Sequence, residues 1–152
     1  MKKLFSLTAL LVLSTLVFSQ GVNKELEFYQ SVFGTSKKAM MTKFIGTDAN
    51  AEFWTLYDEY EKEHQKYGQN RYELLLEYAG NYVNYSDKRM DILMEKSLAN
   101  RKTIAKITKK YYKKIRKVSG SKAGARFLMI ESFFEASIRA KILGDLPMMK
   151  EE

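Results

Sequence analysis

The sequence of 152 residues contains no cysteine, a single proline and a single histidine. Without cysteine, the chain cannot form a disulfide framework, a thiolate metal site or a cysteine nucleophile. A Ser-His-Asp triad is not credible, because the single histidine, His64, lies within a stripe of aromatic residues. No glycine-rich phosphate loop precedes a predicted helix. These absences predict that the protein is not an enzyme and holds no cofactor.

The residues that are abundant are apolar and basic. Hydrophobic side chains make up 45% of the chain, and the formal net charge is +8. A chain of this length and composition suits one globular domain with a sizeable core. The scarcity of proline favours helices that run without interruption.

The N-terminus has the pattern of an export signal. Lys2 and Lys3 precede an apolar run at residues 4–18, and this run is shorter than the roughly 20 residues that a membrane-spanning helix needs. We predict a signal peptide at residues 1–19, cleaved after Ser19, although a membrane anchor is the alternative. The mature protein is then periplasmic or secreted, with one helical domain at residues 20–147 and a frayed tail at residues 148–152.

A long helix with an aromatic seam is predicted at about residues 49–83. Taking every third or fourth residue from Phe53 gives a stripe with helical spacing. The stripe contains Phe53, Tyr57, Tyr60, His64, Tyr67, Arg71, Leu74, Tyr78 and Tyr82. We expect Thr47 or Asp48 to cap this helix. We also expect Gly68 to weaken it, with a bend there.

Three further helical segments flank the long helix. A first helix is predicted at about residues 36–44, preceded by a looser segment, and a third at about residues 86–118. Gly120 is the expected terminator of the third helix. A fourth helix follows at about residues 122–143, and its apolar residues on nearly all sides predict complete burial. We therefore predict an all-α protein with a long antiparallel helical hairpin inside a domain of roughly four helices.

The distribution of charge supports the hairpin. Residues 96–130 contain 12 Lys or Arg and no Asp or Glu, whereas the long helix begins with several acidic residues. If the hairpin turns near Tyr85, residue i faces residue 170 − i. Asp58 then lies near Tyr112, and Glu61 lies near Lys109. The acidic start of one helix thereby meets the basic end of the other.

Two sets of residues follow from this arrangement. The structural aromatic seam consists of Phe53, Trp54, Tyr57, Tyr60 and Tyr111, and we expect it to pack near Ile115 and residues 127–134. Since neighbouring helix positions are about 100° apart, Tyr111 and Tyr112 cannot both lie in the seam. The candidate site for clients or partners is the outward group, which consists of Lys109, Tyr112, Lys113 and Arg116.

Other interpretations of the basic stretch remain open. It is either a solvated face that complements the hairpin, or a patch for an anionic lipid, a sugar or an acidic protein. Nucleic acid is the least expected partner, because an exported protein seldom meets it. Contact with a membrane surface and formation of a homodimer are also left open.

No metal site is predicted. Glu61 and His64 have the Glu-x-x-His spacing of di-iron bundles, but such sites need a second copy, which the chain lacks. We therefore expect His64 to be a satisfied residue of the seam, and the methionines to fill the core.

Several segments resemble a known family. They are FWTLYDEY at 53–60, YELL at 72–75, YAGNY at 78–82, YYKK at 111–114 and AGARFL at 123–128. These segments are similar to small exported helical proteins of Bacteroidetes that are grouped with the Spy and CpxP type of periplasmic proteins. That superfamily carries a Leu-Thr-x-x-Gln motif at the starts of two helices. The corresponding stretches, 46–50 and 85–89, keep a capping hydroxyl and lack the Leu and Gln.

The resemblance implies an ATP-independent chaperone or a sensor of envelope stress or metal. We therefore expect a non-enzymatic, chaperone-like periplasmic binding protein that holds unfolded or acidic envelope proteins. The alternative is an envelope-stress or metal-responsive sensor that acts as an interaction module at the membrane.

Overall fold

The structure, a computed structural model, describes residues 24–144 and Leu146. The predicted signal peptide, its cleavage site near Ser19 and the tail at 148–152 lie outside the described residues. The helices are α1 (Lys24–Phe33), α2 (Lys37–Ile45), α3 (Ala51–Asn81) and α4 (Asp87–Gly144), with a 3-10 turn at Gly46–Asp48. The described residues contain no strand, so the predicted all-α class is confirmed.

Helix α4 is divided by Gly120. This residue has φ 85° and ψ 171°, a backbone conformation that is essentially restricted to glycine. The predicted terminator is therefore confirmed. We call residues 87–119 the N-segment of α4 and residues 121–144 its C-segment.

Helix α3 and the N-segment form the predicted antiparallel hairpin. Asn70 Nδ2 donates to Asn100 Oδ1 at 3.0 Å, and both residues fit the rule that residue i faces residue 170 − i. Farther from the turn, Glu63 pairs with Lys110 at 2.6 Å, three residues from the position that the rule gives. The register is therefore confirmed to within about one helical turn.

The C-segment folds back along the N-segment and completes the core. The Tyr60 ring lies 5.6 Å from the Tyr111 ring and 5.0 Å from the Phe127 ring, measured between centroids. A Cβ on Gly124 would lie 3.2 Å from Arg116 Cβ, which shows how closely the two segments approach. Tyr60 therefore lies at the meeting point of α3 and both segments of α4, as predicted.

Helices α1 and α2 lie against α3 and the C-segment. The predicted loose segment before α2 is instead α1, and it is held by Tyr29, whose buried ring lies 5.3 Å from the Phe134 ring. The expectation of an irregular segment was wrong because α1 gains most of its stability from this tertiary packing rather than from its own short sequence.

Two further expectations require correction. The cap of α3 is Asn50, whose Oδ1 accepts a hydrogen bond from Phe53 N at 2.8 Å, rather than Thr47 or Asp48, because the intervening residues form the 3-10 turn. The C-segment is not buried on all sides, since Met129 and Phe133 are exposed. α1 and α2 are too short to cover its whole circumference. No stretch of residues 24–144 is both long and apolar enough to cross a membrane as a helix.

Candidate functional site

A group of charged and polar side chains lies inside the helical core. The buried members are Glu25, Lys37, His64, Arg71, Asn100 and Glu131. Charged groups are rarely buried unless they are paired, because removing them from water is costly. All of them except Asn100 surround one region where α1, α2, α3 and the C-segment meet, and we call these five residues the buried polar cluster.

Lys37 is the central cation of the cluster. Its Nζ lies 2.8 Å from Glu61 Oε1 and 2.8 Å from Glu131 Oε2. The Tyr60 hydroxyl donates to the same Glu131 oxygen at 2.7 Å. Burial lowers the pKa of Lys37, but the two carboxylates outweigh burial, and the net pKa is raised well above its usual value. Lys37 is therefore held as an ammonium and does not supply a free amine.

Aromatic rings enclose the Lys37 ammonium. Its Nζ lies 5.9, 5.4 and 5.5 Å from the ring centroids of Tyr29, Tyr60 and Phe134. These distances are within the range in which a cation is attracted to the face of a ring. The aromatic surroundings thus contribute to holding the charge in place.

Arg71 and Glu25 form the second buried ion pair, which joins α3 to α1. Arg71 Nη2 donates to Glu25 Oε1. Gly68 makes room for this pair, since a Cβ there would overlap the Glu25 carboxylate. Gly68 is thus a position of close helix approach within a continuous α3.

His64 lies between the two ion pairs. Its side chain is buried, with 5% of the residue exposed, and its ring centroid lies 5.1 Å from that of Tyr60. Burial lowers the pKa of His64 well below its usual value, and the charges of Lys37 and Arg71 lower it further. Among the described residues no group hydrogen-bonds to this neutral imidazole. His64 lies on the predicted seam, and its packing against Tyr60 agrees with a place in the core.

A cavity of about 240 Å³ opens beside the cluster, between α3 and the two segments of α4. His64, Arg71 and Glu131 form its inner wall, and Arg101 and Lys109 lie at its exposed rim. Arg71 Nε and Glu131 Oε1 are buried without a hydrogen-bond partner. A second cavity of about 260 Å³ lies next to Lys37 and Glu61, and the His64 side chain borders both cavities. The inner wall therefore contains two buried polar atoms that lack a hydrogen-bond partner among the described residues.

The residues of the predicted client site lie on the outer side of the N-segment. Lys109, Lys113 and Arg116 are exposed. Tyr112 is half-buried: the Arg116 guanidinium lies 5.8 Å from its ring centroid, and a Cβ on Gly124 would lie 3.3 Å from its ring edge. The C-segment therefore covers part of the ring that was expected to face outward.

The residues of the predicted aromatic seam lie in the core. Phe53, Tyr57, Tyr60 and Tyr111 are buried, and Trp54 is half-buried at the end of the row. The Trp54 ring meets those of Phe53 and Tyr57 edge to face, with centroids 5.0 and 5.9 Å away. The aromatic seam thus packs beside the buried polar cluster, as the contact between Tyr60 and His64 shows.

Asp58 and Glu61 were expected near Tyr112 and Lys109 of the N-segment, but they form their ion pairs with α2. Asp58 Oδ1 lies 2.5 Å from Lys38 Nζ, and Glu61 binds Lys37. Both acids face α2, because α2 packs over this part of α3. In this half of α3, Glu59 and Glu63 are the acidic residues that pair with the N-segment.

Sequence analysis missed most of the buried polar cluster. One signal was present, since Glu131 occupies a position of the apolar stripe that includes Phe127 and Phe134. A charged residue at such a position is buried and needs a partner. The partner itself, Lys37, lies on a short helix 94 residues away, and no local pattern reveals it.

No group of three or more His, Asp or Glu side chains among residues 24–144 is arranged to hold a metal ion. Comparisons with known protein families, characterised proteins and solved structures find no match for this chain.

Proposed function

We propose that this protein is a non-enzymatic, chaperone-like binding protein of the periplasm, which holds unfolded or acidic proteins on the outer face of α4. One observation carries the proposal: most basic residues of residues 96–130 lack an acidic partner. Of the 12, only Lys110, Lys114 and Arg126 form ion pairs within the described part of the chain. The nine others are Lys96, Arg101, Lys102, Lys106, Lys109, Lys113, Arg116, Lys117 and Lys122.

Some of these free cations share a face with the exposed apolar residue Leu98. At about 100° per residue, Leu98, Lys102 and Lys109 lie on one side of the N-segment, opposite Ile107 and Tyr111. Ile107 and Tyr111 are buried, whereas Leu98 is 61% exposed. The outer face therefore combines positive charge with apolar surface, and we call it the basic face.

Such a face suits an unfolded acidic chain. Lysine side chains offer four methylene groups as well as a charge, so they contact apolar and acidic groups at the same time. Charge attraction also speeds the encounter with an acidic partner. Neither contact requires a fixed partner structure, which is what a holder of varied clients needs.

The buried polar cluster supports a role in binding rather than in catalysis. The Lys37 amine is charged, and His64 has no carboxylate hydrogen-bonded to it among the described residues. A nucleophile requires a neighbouring base in hydrogen-bond reach, and neither residue has this arrangement.

The proposal is tested by measuring the aggregation of a chemically unfolded acidic protein and of a basic one, each with an equimolar amount of this protein. We expect the aggregation of the acidic client to be suppressed, and the effect to weaken as salt screens the charges. The variant Lys106→Glu/Lys113→Glu should lose much of the suppression. The matched control is Lys62→Glu/Lys66→Glu, which makes the same change in charge on exposed residues of α3. This variant should still suppress the aggregation of the acidic client.

Three results would overturn the proposal. They are absence of suppression, equal loss in both double variants, and preferential binding of DNA over the acidic client. Tight capture of one membrane protein without suppression would instead favour a sensor or interaction module, which is the alternative function.

A further inference from the structure

We infer that the 240 Å³ cavity between α3 and the two segments of α4 is a binding site for a small zwitterion of the amino-acid class. The ligand carboxylate would face Arg71, Arg101 and Lys109, and its ammonium group would face Glu131. This site is separate from the proposed client surface, except that Lys109 borders both.

The inner wall carries the first part of the argument. His64, Arg71 and Glu131 are 5%, 8% and 7% exposed. Two of them, Arg71 through Nε and Glu131 through Oε1, have a buried polar atom without a hydrogen-bond partner among the described residues. A buried polar group without a partner costs roughly 1–3 kcal/mol. Two such atoms at one cavity are explained if a bound molecule satisfies them.

The types of these groups define the ligand. Arg71 Nε–H is a cationic donor, Glu131 Oε1 is an acceptor on a carboxylate, and neutral His64 both donates and accepts. A simple anion would satisfy Arg71 Nε and leave Glu131 Oε1 without a partner, and a simple amine would do the reverse. A molecule with a carboxylate and an ammonium group satisfies both.

The charges at the rim of the cavity determine the orientation of the bound ligand. Arg101 and Lys109 have no acidic partner within the described chain, whereas Glu135 at the same cavity lies 3.4 Å from Arg139 and 3.9 Å from Arg71. The uncompensated charge at the mouth is therefore positive. The carboxylate is expected to lie toward Arg101 and Lys109, and the ammonium group toward the inner Glu131.

The size of the cavity limits the ligand to a single small molecule. A volume of about 240 Å³ lies below the roughly 300–1,000 Å³ of pockets that bind drug-sized ligands. This volume suits a free amino acid and excludes a folded peptide segment. Water alone could fill such a polar cavity, so the experiment must separate the two cases.

Because the sequence contains one histidine, the ring signals of His64 in an NMR spectrum are unambiguous. We would add glycine, alanine, serine or aspartate to the isotope-labelled wild-type protein, and acetate or ethylamine in parallel. At least one amino acid should shift the His64 ring signals and raise the melting temperature, and acetate and ethylamine should not. Unchanged signals with every amino acid, or an equal response to acetate, would overturn the proposal, since a cavity filled by water alone gives the first result.

Matched variants locate the site. Arg101→Gln removes an exposed rim cation and should weaken binding about tenfold, which corresponds to about 1.4 kcal/mol. Lys106→Gln removes a cation that is also exposed and unpaired on the same helix but does not line the cavity, and it should bind as the wild type does. Equal affinity in both variants would contradict the assignment. Client aggregation is not measured here, so failure of this site leaves the proposed chaperone function standing.

Discussion

Lys37 Nζ lies 2.8 Å from Glu131 Oε2, although 94 residues separate the two in the sequence. This contact links the short helix α2 to the C-segment of α4 inside the core. Glu61 of α3 binds the same ammonium at 2.8 Å, so one cation holds three helical segments together. Lys37 therefore adds a buried ionic link to the aromatic packing between these segments.

Replacing Lys37 by methionine should strongly destabilise the protein. The change keeps an apolar side chain of similar length but leaves Glu131 buried without its cation, and breaking a buried pair in this way costs about 3–5 kcal/mol. Urea unfolding of the variant and the wild type would measure the loss. The control is Lys38→Met, which breaks the exposed pair with Asp58 and should cost at most about 1 kcal/mol.

The double variant Lys37→Met/Glu131→Gln separates loss of a pair from loss of packing. Removing the second charge should restore part of the stability, because the remaining amide is not ionised. The loss in the double variant is compared with the sum of the losses in Lys37→Met and Glu131→Gln. If the two are equal, the pair contributes nothing beyond packing, which would contradict the structure.

Gly68→Ala should also destabilise the protein, although alanine is the better helix former by about 1 kcal/mol. The added methyl group would overlap the Glu25 carboxylate and displace it from Arg71. A matched control is Gly80→Ala, since Gly80 lies in the same helix with nothing near its missing Cβ. Thermal unfolding should show a lower melting temperature for Gly68→Ala and an equal or higher one for Gly80→Ala. A rise in both variants would show that α1 does not pack against α3 at this point.

The parts of the fold that follow from short-range patterns could be predicted. The spacing of Phe53, Tyr57 and Tyr60 fixes the buried face of α3, and the acidic and basic ends of the hairpin fix its register. Glu63 and Lys110 show this pairing directly. The terminator at Gly120 could also be predicted, because glycine alone adopts that backbone conformation readily.

The parts of the fold that depend on contacts between residues distant in sequence could not be predicted. α1 has ten residues, which is too short to be stable alone, and its position becomes evident only from the contacts of Glu25 and Tyr29 with α3 and the C-segment. The cavity likewise requires three segments to meet. The sequence pattern identified Arg71 and His64 on one face of α3. Glu131, on the opposite wall of the cavity, belongs to the C-segment and could not be placed from that pattern.

Lowering the pH should destabilise the protein through His64. Its pKa in the folded state is lowered by burial and then by the charges of Lys37 and Arg71, so the folded protein binds fewer protons than the unfolded chain. This contribution to stability is complete above the unfolded pKa of about 6.5 and is lost as the pH falls through the lower folded pKa, by up to about 1.4 kcal/mol per pH unit. Glu131 acts in the opposite sense, since burial raises its pKa.

The variant His64→Phe isolates the contribution of His64. Urea unfolding of the variant and the wild type between pH 7.5 and pH 5, roughly one pH unit or more on each side of the unfolded pKa of about 6.5, would give the two slopes. The wild type should lose stability more steeply than the variant as the pH falls. Equal slopes would mean that His64 binds protons in the folded protein as it does in the unfolded chain. The buried position of its side chain would then be incorrect.

The half-buried position of Tyr112 divides the predicted client site into two kinds of residue. Lys113 is exposed and forms no ion pair with the described residues, so Lys113→Glu should weaken binding of an acidic client at low salt and leave the melting temperature nearly unchanged. Tyr112 packs against Gly124 and Arg116, so Tyr112→Ala should cost about 1–2 kcal/mol of stability, a part of the value for a fully buried aromatic side chain. Differential scanning calorimetry and a client-binding titration on both single variants would separate these effects. If Tyr112→Ala weakens binding without lowering the melting temperature, the ring contributes to the client surface rather than to the contact between the two segments of α4.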